Sequence, residues 1–428
     1  MQDFVPSKEF LKIFNLLEKS SDHFFITGQA GTGKSTILKY FRENSSKNIA
    51  VLAPTGLAAV NVNGQTIHSF FKFGLNLLDL AQIKVAHNKK LYKNLDTIII
   101  DEVSMVRADV IDAIDTFLRI NGPNKRKSFG GVQMVFVGDL FQLPPVLTSN
   151  ERDYFLTKYP SPYFLSSNVF GKIKLKMIEL SKIYRQNDEH FIDILNKIRV
   201  NEATWTEINE LNKRFEPNFE IKDNDFYITL TATNRQAELI NHQKLDQIKK
   251  PIRQFSAEVE GNFAANLFPN DAIVRLKVGS QVLFVKNDSK SRWVNGTIGK
   301  VVRFDGNKVV VMTMDGIVEV EMESWDMTKF EVDPISGKLD NEIIGTFRQL
   351  PLRLAWAITI HKSQGQTFDK VVLDITGGIF AHGQLYVALS RCSNLKGLVL
   401  RKKIYPGAII IDEQIVEFYR QIKSNSLV

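Results

Sequence analysis

The run Phe24-Phe25-Ile26-Thr27-Gly28-Gln29-Ala30-Gly31-Thr32-Gly33-Lys34-Ser35-Thr36 decides the fold. A short apolar strand enters a glycine-rich turn, and a helix follows from Lys34 towards Glu43. Glycines let successive backbone N–H groups face one centre without Cβ clashes, and a helix N-terminus adds positive potential. Gly28, Gly31 and Gly33, with Thr32 and Thr36 beside them, therefore form a cradle for phosphates. Lys34 would neutralise the β- and γ-phosphates, and Ser35 would hold Mg²⁺. A glycine turn beside a solvated lysine is the bland alternative, but the strand-to-helix setting is what a phosphate cradle needs.

A nucleotide loop needs a carboxylate on its metal side. Ile98-Ile99-Ile100-Asp101-Glu102 supplies an apolar strand ending in two acids. Asp101 would bind the magnesium shell, and Glu102 would polarise the attacking water. A third apolar strand, Met134 to Val137, ends in Gly138-Asp139-Leu140-Phe141-Gln142, where Gln142 can hydrogen-bond a γ-phosphate or that water. Short apolar runs alternating with helical segments indicate a parallel sheet flanked by helices. Ahead of them, residues 7 to 19 read as an amphipathic helix with Phe10, Phe14 and Leu17 at helical spacing and Ser7 as N-cap.

A second alternating set runs through Tyr227 to Thr231, Lys370 to Ile375 and Gly397 to Leu400, so two related α/β domains are expected. Residues from roughly 250 to 344 differ: Ala272 to Val285, Thr297 to Phe304, Lys308 to Met314 and Gly316 to Met322 are short, Val-rich and separated by turn residues, which reads as an inserted β-barrel. Phe70, Phe71 and Phe73 mark a smaller insertion over 63–81, either core or a wedge against duplex.

With 428 residues the chain exceeds the size at which one core usually stops growing. Lys plus Arg number 55 against 47 Asp plus Glu, a formal charge of +8 that fits an anionic partner such as nucleic acid, although a basic face is also common among soluble proteins. The single cysteine, Cys392, excludes an intrachain disulfide framework and a zinc site with several Cys ligands. No basic stretch followed by an apolar run opens the sequence, and no apolar run is long enough to span a bilayer, so a soluble, cytoplasmic protein is expected.

The segments GQAGTGKST, APTGLAAVNV with TIHSF, IIIDEVSM, GDLFQLPPV, LSKIYRQ, AITIHKSQGQTF and LYVALSR, in this order, resemble superfamily-one helicases of the 5′-to-3′ group, and Leu95 to Arg119 resembles the signature segment of the Pif family within it. The match runs from about residue 24 to residue 400. The resemblance implies an α/β fold of two RecA-like domains, the first over 1–62 and 82–177 and the second over 178–249 and 345–428, with an SH3-like barrel at 250–344. It implies ATP and Mg²⁺ as cofactors, and it makes Arg185 and Arg391 the phosphate-contacting arginines of the second domain. Gly365 is where backbone approaches a phosphate.

By the same resemblance, Pro54, Thr55, Gly56, Thr66, His68, Ser69, Thr359, His361, Lys362 and Ser363 touch single-stranded DNA. Small hydroxyl, imidazole and amine groups suit phosphate contact without base readout. Duplex and forked DNA, G-quadruplex and RNA–DNA hybrids are the implied substrates, handled by a nucleoid-associated monomer that binds no membrane. A RecD-like subunit of a recombination nuclease and a slow nucleotide switch remain as alternatives. One departure stands out: family members carry a glutamine shortly before the phosphate loop to read adenine, whereas Val5 to Phe14 contains none and Gln2 lies too early.

Overall fold

The computed structural model describes residues 6–74, 76–183, 186, 188–222, 225–333 and 335–423. Helix α1 (Lys8–Lys19) starts at Ser7, whose hydroxyl accepts the Phe10 N–H at 3.2 Å, and it buries Phe10, Ile13 and Leu17 as one stripe. Six strands follow: β1 (His23–Gly28), β2 (Ile49–Ala53), β3 (Gln65–Thr66), β4 (Thr97–Ile100), β5 (Gln133–Val137) and β6 (Leu175–Leu180). They pair in the order β3-β2-β4-β5-β1-β6, every pair parallel. Their side chains are apolar on both faces because α1 and α2 (Lys34–Asn44) cover one side and α3 (Ala108–Asn121) the other. Parallel pairing brings the carboxyl ends of β1, β4 and β5 to one edge, where ligands of open α/β sheets bind.

A second parallel sheet orders Ala357–Thr359, Ile228–Thr231, Val371–Asp374 and Leu398–Leu400. Its core takes Phe191, Ile194, Leu195 and Ile198 from the helix Glu189–Arg199, together with Leu385 to Leu389. Between the halves of this lobe lies antiparallel structure. Gly316–Val320, Lys308–Thr313, Ile298–Asp305, Gln281–Phe284 and Leu352–Leu354 form one five-stranded sheet. A separate sheet is built on a long hairpin, Glu323–Val332 and Leu339–Gln349, with Glu258–Gly261 beside it.

That hairpin reaches back to the first lobe. Gln65 Nε2 donates to the Thr328 carbonyl at 2.5 Å, Asn48 pairs with Gly337 and Leu339, and the Phe330 ring meets Phe70 at 5.7 Å. Phe70 and Phe71 are buried among Tyr92, Phe117 and Phe330, so these rings are core and present no wedge to a duplex. Strand β3, just inside the expected insertion, pairs with β2 in the main sheet. Strand β6 carries the first sheet past the expected boundary at 177, to Leu180.

The last helix, Glu413–Lys423, also departs from expectation. Ile415 and Tyr419 pack into the core of the first lobe, Tyr419 meets Phe141 at 5.1 Å, and its hydroxyl donates to the Glu179 carboxylate. An amphipathic stripe shows that a helix needs a core but not which of two cores it will find.

Candidate functional site

Gly28 closes β1 with φ +154°, and a Cβ there would lie 2.7 Å from both the Leu180 carbonyl oxygen and Thr32 Oγ1. Gly31 and Gly33 hold φ of 82° and 87°, the left-handed region where glycine carries no Cβ penalty. The loop is braced internally: Thr32 Oγ1 donates to the Gln29 carbonyl at 2.9 Å, and Lys34 Nζ donates to the carbonyls of Gly28 and Gln29 at 2.7 and 2.8 Å. Burial lowers the Lys34 pKa, while the carboxylates of Asp139, Glu102 and Asp101 pull the other way. A phosphate arriving here meets an ammonium already desolvated and aimed along the loop.

A cavity of about 580 Å³ opens over the loop. Residues 30–36, Glu102 and Gln142 of the first lobe line it together with Gly365 and Arg391 of the second. Ser7 and Phe10 line it as well. Ser35 is exposed to it, which leaves its hydroxyl open to a cation.

The acid pair stands at the end of β4, with Asp101 buried and Glu102 half-buried. Glu102 holds φ 50° and ψ 42°, and its N–H donates to Asp101 Oδ1 at 2.9 Å. Burial raises the Asp101 pKa. Burial and then the Asp101 charge push the Glu102 carboxyl up to about 7, against the pull of Lys34 and Arg391. Carboxyls whose pKa is raised by burial beside a cavity are a common mark of acid–base sites.

Gln142, 5% exposed, is met from the second lobe. Gln364 Nε2 donates to Gln142 Oε1 at 3.2 Å and to Glu102 Oε2 at 3.3 Å. Three further contacts cross between the lobes. Ala30 N–H donates to the Tyr386 hydroxyl at 3.2 Å, the Arg199 guanidinium pairs with Asp139 at 2.9 Å with both side chains buried, and His382 bonds the Leu140 carbonyl at 2.8 Å. His382 Nδ1 accepts from the Asp412 N–H, so Nε2 carries the proton. Although burial opposes it, Arg199 holds Asp139 below the usual carboxylate range.

Arg391 is 1% exposed. Its guanidinium donates to the carbonyls of Val387, Ser363 and Gln366 and to Ser390 Oγ, which fixes the head at the cavity wall. Gly365, at φ 82°, keeps backbone open beside it. Arg185, the other expected arginine, lies outside the described residues.

The expected strand contacts fall into two groups. In the first lobe, Thr55 and Thr66 cap short helices, accepting from Ala58 and Ser69 N–H at 3.2 Å, while His68 is half-buried and Ser69 exposed. Pro54 and Gly56 flank Thr55. A small cleft there joins Gly56, Thr66 and Ser69 to Leu267, Met327 and Thr328, so the hairpin sheet overlies these residues. In the second lobe, His361 and Lys362 are exposed. Thr359 and Ser363 are buried instead: Thr359 Oγ1 accepts the Lys362 N–H and the Ser363 hydroxyl donates to the Ile360 carbonyl, so both shape the turn rather than face a strand.

This geometry can be set beside known proteins. A profile of the PIF1-like helicase family matches residues 7–207, and one of the UvrD-like helicase C-terminal domain matches residues 354–399. The ATP-dependent DNA helicase Pif1 of Bdellovibrio bacteriovorus is 33% identical over 418 residues, 95% of this chain and 90% of its own length. The chain belongs to the PIF1-like helicase family. It spans 64% of the length of the human ATP-dependent DNA helicase PIF1, to which it is 32% identical over 97% of the chain. Bacteroides sp Pif1 in complex with ADP-AlF4 superposes with a TM-score of 0.91 at 37% identity, covering 99% of this chain and 98% of that one. The same protein bound to ssDNA superposes at 0.70, with the same identity and coverage.

As a member of the PIF1-like helicase family the chain has two RecA-like lobes, and the cavity over the glycine-rich loop is lined by both. Sequence reasoning missed Gln364, Arg199, Tyr386 and His382. Gln364 stands next to Gly365 in a quoted segment, but its partners belong to the other lobe and nothing local announces them. For Arg199, the only signal was a cation in the last turn of an amphipathic helix, which a helix dipole would explain equally well.

Proposed function

We propose that this PIF1-like helicase is an ATP-driven DNA motor that closes and opens its lobes around the cavity to move 5′ to 3′ along single-stranded DNA and unwind duplex and forked DNA, G-quadruplexes and RNA–DNA hybrids. One observation carries the reading: a phosphate cradle on one lobe faces a fixed guanidinium, Arg391, on the other. The solved complex of a family member with ssDNA supports DNA as the track. A nucleoid-associated monomer in the cytoplasm is part of the same proposal.

The residues divide the work. The loop N–H groups and Lys34 hold the β- and γ-phosphates. The Ser35 hydroxyl and Asp101 carboxylate are hard oxygen donors suited to Mg²⁺, which would take its remaining ligands from phosphate and water and neutralise charge on the phosphates. Glu102 accepts a proton from the attacking water, which Gln142 orients. Arg391 stabilises charge on the transferring phosphoryl group, and because it belongs to the other lobe its help depends on closure. Gln364 bonds Glu102 and Gln142 together, so a shift of the second lobe changes both groups at once.

The test is ATP hydrolysis with and without a single-stranded oligonucleotide, followed by unwinding of duplexes carrying a 5′ or a 3′ tail. Strong stimulation and preference for the 5′ tail are expected. Hydrolysis indifferent to DNA would leave a nucleotide switch, and unwinding from the 3′ tail would reverse the direction.

A further inference from the structure

The turn that carries Gln142 is held by backbone contacts from the other lobe. Residues 139–142 close as one turn, with the Gln142 N–H donating to the Asp139 carbonyl at 2.9 Å. The second lobe then meets the next three carbonyls in succession. His382 Nε2 donates to that of Leu140 at 2.8 Å. Gly383 faces the other two: a Cβ on it would lie 2.2 Å from the Phe141 carbonyl oxygen and 2.6 Å from that of Gln142. At φ +67° Gly383 also opens the helix Gln384–Leu389, so a residue without Cβ is what lets the two backbones approach this closely.

The imidazole is fixed at both nitrogens. Nδ1 accepts the Asp412 N–H at 2.9 Å, which leaves the proton on Nε2, aimed at Leu140. The ring is buried and meets Tyr163 edge-on at 5.8 Å. Burial lowers the His382 pKa against the pull of the Leu140 carbonyl and the Asp412 and Asp139 carboxylates, which keeps the ring neutral. A side chain that orients water works only in one place, and a misplacement of about 1 Å can cost on the order of a hundredfold in rate.

We infer that His382 and Gly383 are positioning residues for hydrolysis, which seat the backbone of the 139–142 turn so that Gln142 reaches the attacking water. The inference rests on the nucleotide reading above and on the role it gives Gln142.

The experiment measures ATP hydrolysis by the full chain with Mg²⁺ and a single-stranded oligonucleotide. His382→Gln keeps an N–H donor near the place of Nε2, whereas His382→Asn keeps only a group near Nδ1. His382→Asn should lower kcat by up to about a hundredfold with KM for ATP close to its parent value, and His382→Gln should restore most of the loss. Because the effect passes through Gln142, His382→Asn should change little further in a Gln142→Ala background. Parental kcat in His382→Asn, equal losses in the Asn and Gln variants, or an undiminished loss on top of Gln142→Ala would each overturn the inference. Should His382→Asn lose its cooperative thermal transition, Gly383→Ala carries the test, since its Cβ displaces the same turn. It must lower kcat by a loss that Gln142→Ala absorbs, and parental kcat in it overturns the inference equally. Failure of the underlying reading looks different: the unaltered chain then hydrolyses no ATP and Lys34→Ala changes nothing, or Gln142→Ala alone keeps parental turnover and the inference falls with the role of Gln142.

Discussion

Glu102 combines two unusual properties, a left-handed backbone in a residue that is not glycine and a carboxyl pushed up to about 7. Such backbone costs on the order of 1–3 kcal/mol and persists where the surroundings over-determine it, commonly at working sites. As proton acceptor Glu102 must be ionised, so kcat/KM for ATP should rise with pH through about 7, and Glu102→Gln should be nearly inactive at every pH. A flat profile in the unaltered chain would remove Glu102 from this role. Stability runs the opposite way. With the folded value above the ordinary 4.5, the protonated acid favours the fold at low pH, and that contribution is lost as pH rises towards 7. Glu102→Gln cannot ionise, so its stability relative to the parent should be greater at about pH 8 than at about pH 5 by thermal denaturation. Lys34→Ala should abolish hydrolysis because the phosphate charge loses its cation. Arg391→Ala should cut turnover on the order of a thousandfold, and it should also lower thermal stability, since Val387, Ser363 and Ser390, three of its four hydrogen-bond partners, are buried with it. Lys34, Ser35, Asp101, Glu102 and Gln142 were legible in the sequence because phosphate chemistry prescribes both their type and their place at the end of a strand. Gln364 was not, because an amide gains meaning only from what faces it.

Among the elements, the hairpin Glu323–Gln349 is the least expected. Its Val-rich neighbours announced themselves as strands, whereas its own apolar residues are spaced among charges, as in Trp325-Asp326-Met327-Thr328-Lys329-Phe330. It docks on the first lobe through Thr328, Phe330 and Leu339, over Gly56, Thr66 and Ser69. Phe330→Ala removes its aromatic anchor, a change that costs about 3–5 kcal/mol at a well-packed site. The docked arrangement should weaken, and affinity for a fluorescent single-stranded oligonucleotide should rise as those three residues are uncovered. Equal or lower affinity would show that the hairpin does not compete with the strand. The phenylalanine cluster teaches the complementary lesson: its spacing alone could not separate a wedge from a core, and burial of Phe70 and Phe71 decided for the core.

At the scale of the whole molecule, the two lobes are joined by a buried ion pair, Asp139 with Arg199, whose guanidinium also lies over the Phe141 ring at 4.5 Å. Breaking such a pair from one side leaves a charge without its partner and costs about 3–5 kcal/mol. Arg199→Ala should therefore lower the thermal midpoint clearly, and removing both charges together, in Asp139→Asn with Arg199→Met, should cost less than the single change. If the double variant is the less stable of the two, the pair itself is the stabilising feature. The α/β class, the two lobes and the antiparallel insertion were legible because strand length, apolar runs and turn residues are local. The return of the last helix to the first lobe was not, since either core would satisfy its stripe. That return has a mechanical consequence. Covalent chain passes between the lobes twice, once after Leu180 and again before Glu413. A body held by one link can swivel about any axis, whereas a second link removes some of those rotations, so the lobe movement proposed above has fewer directions open to it.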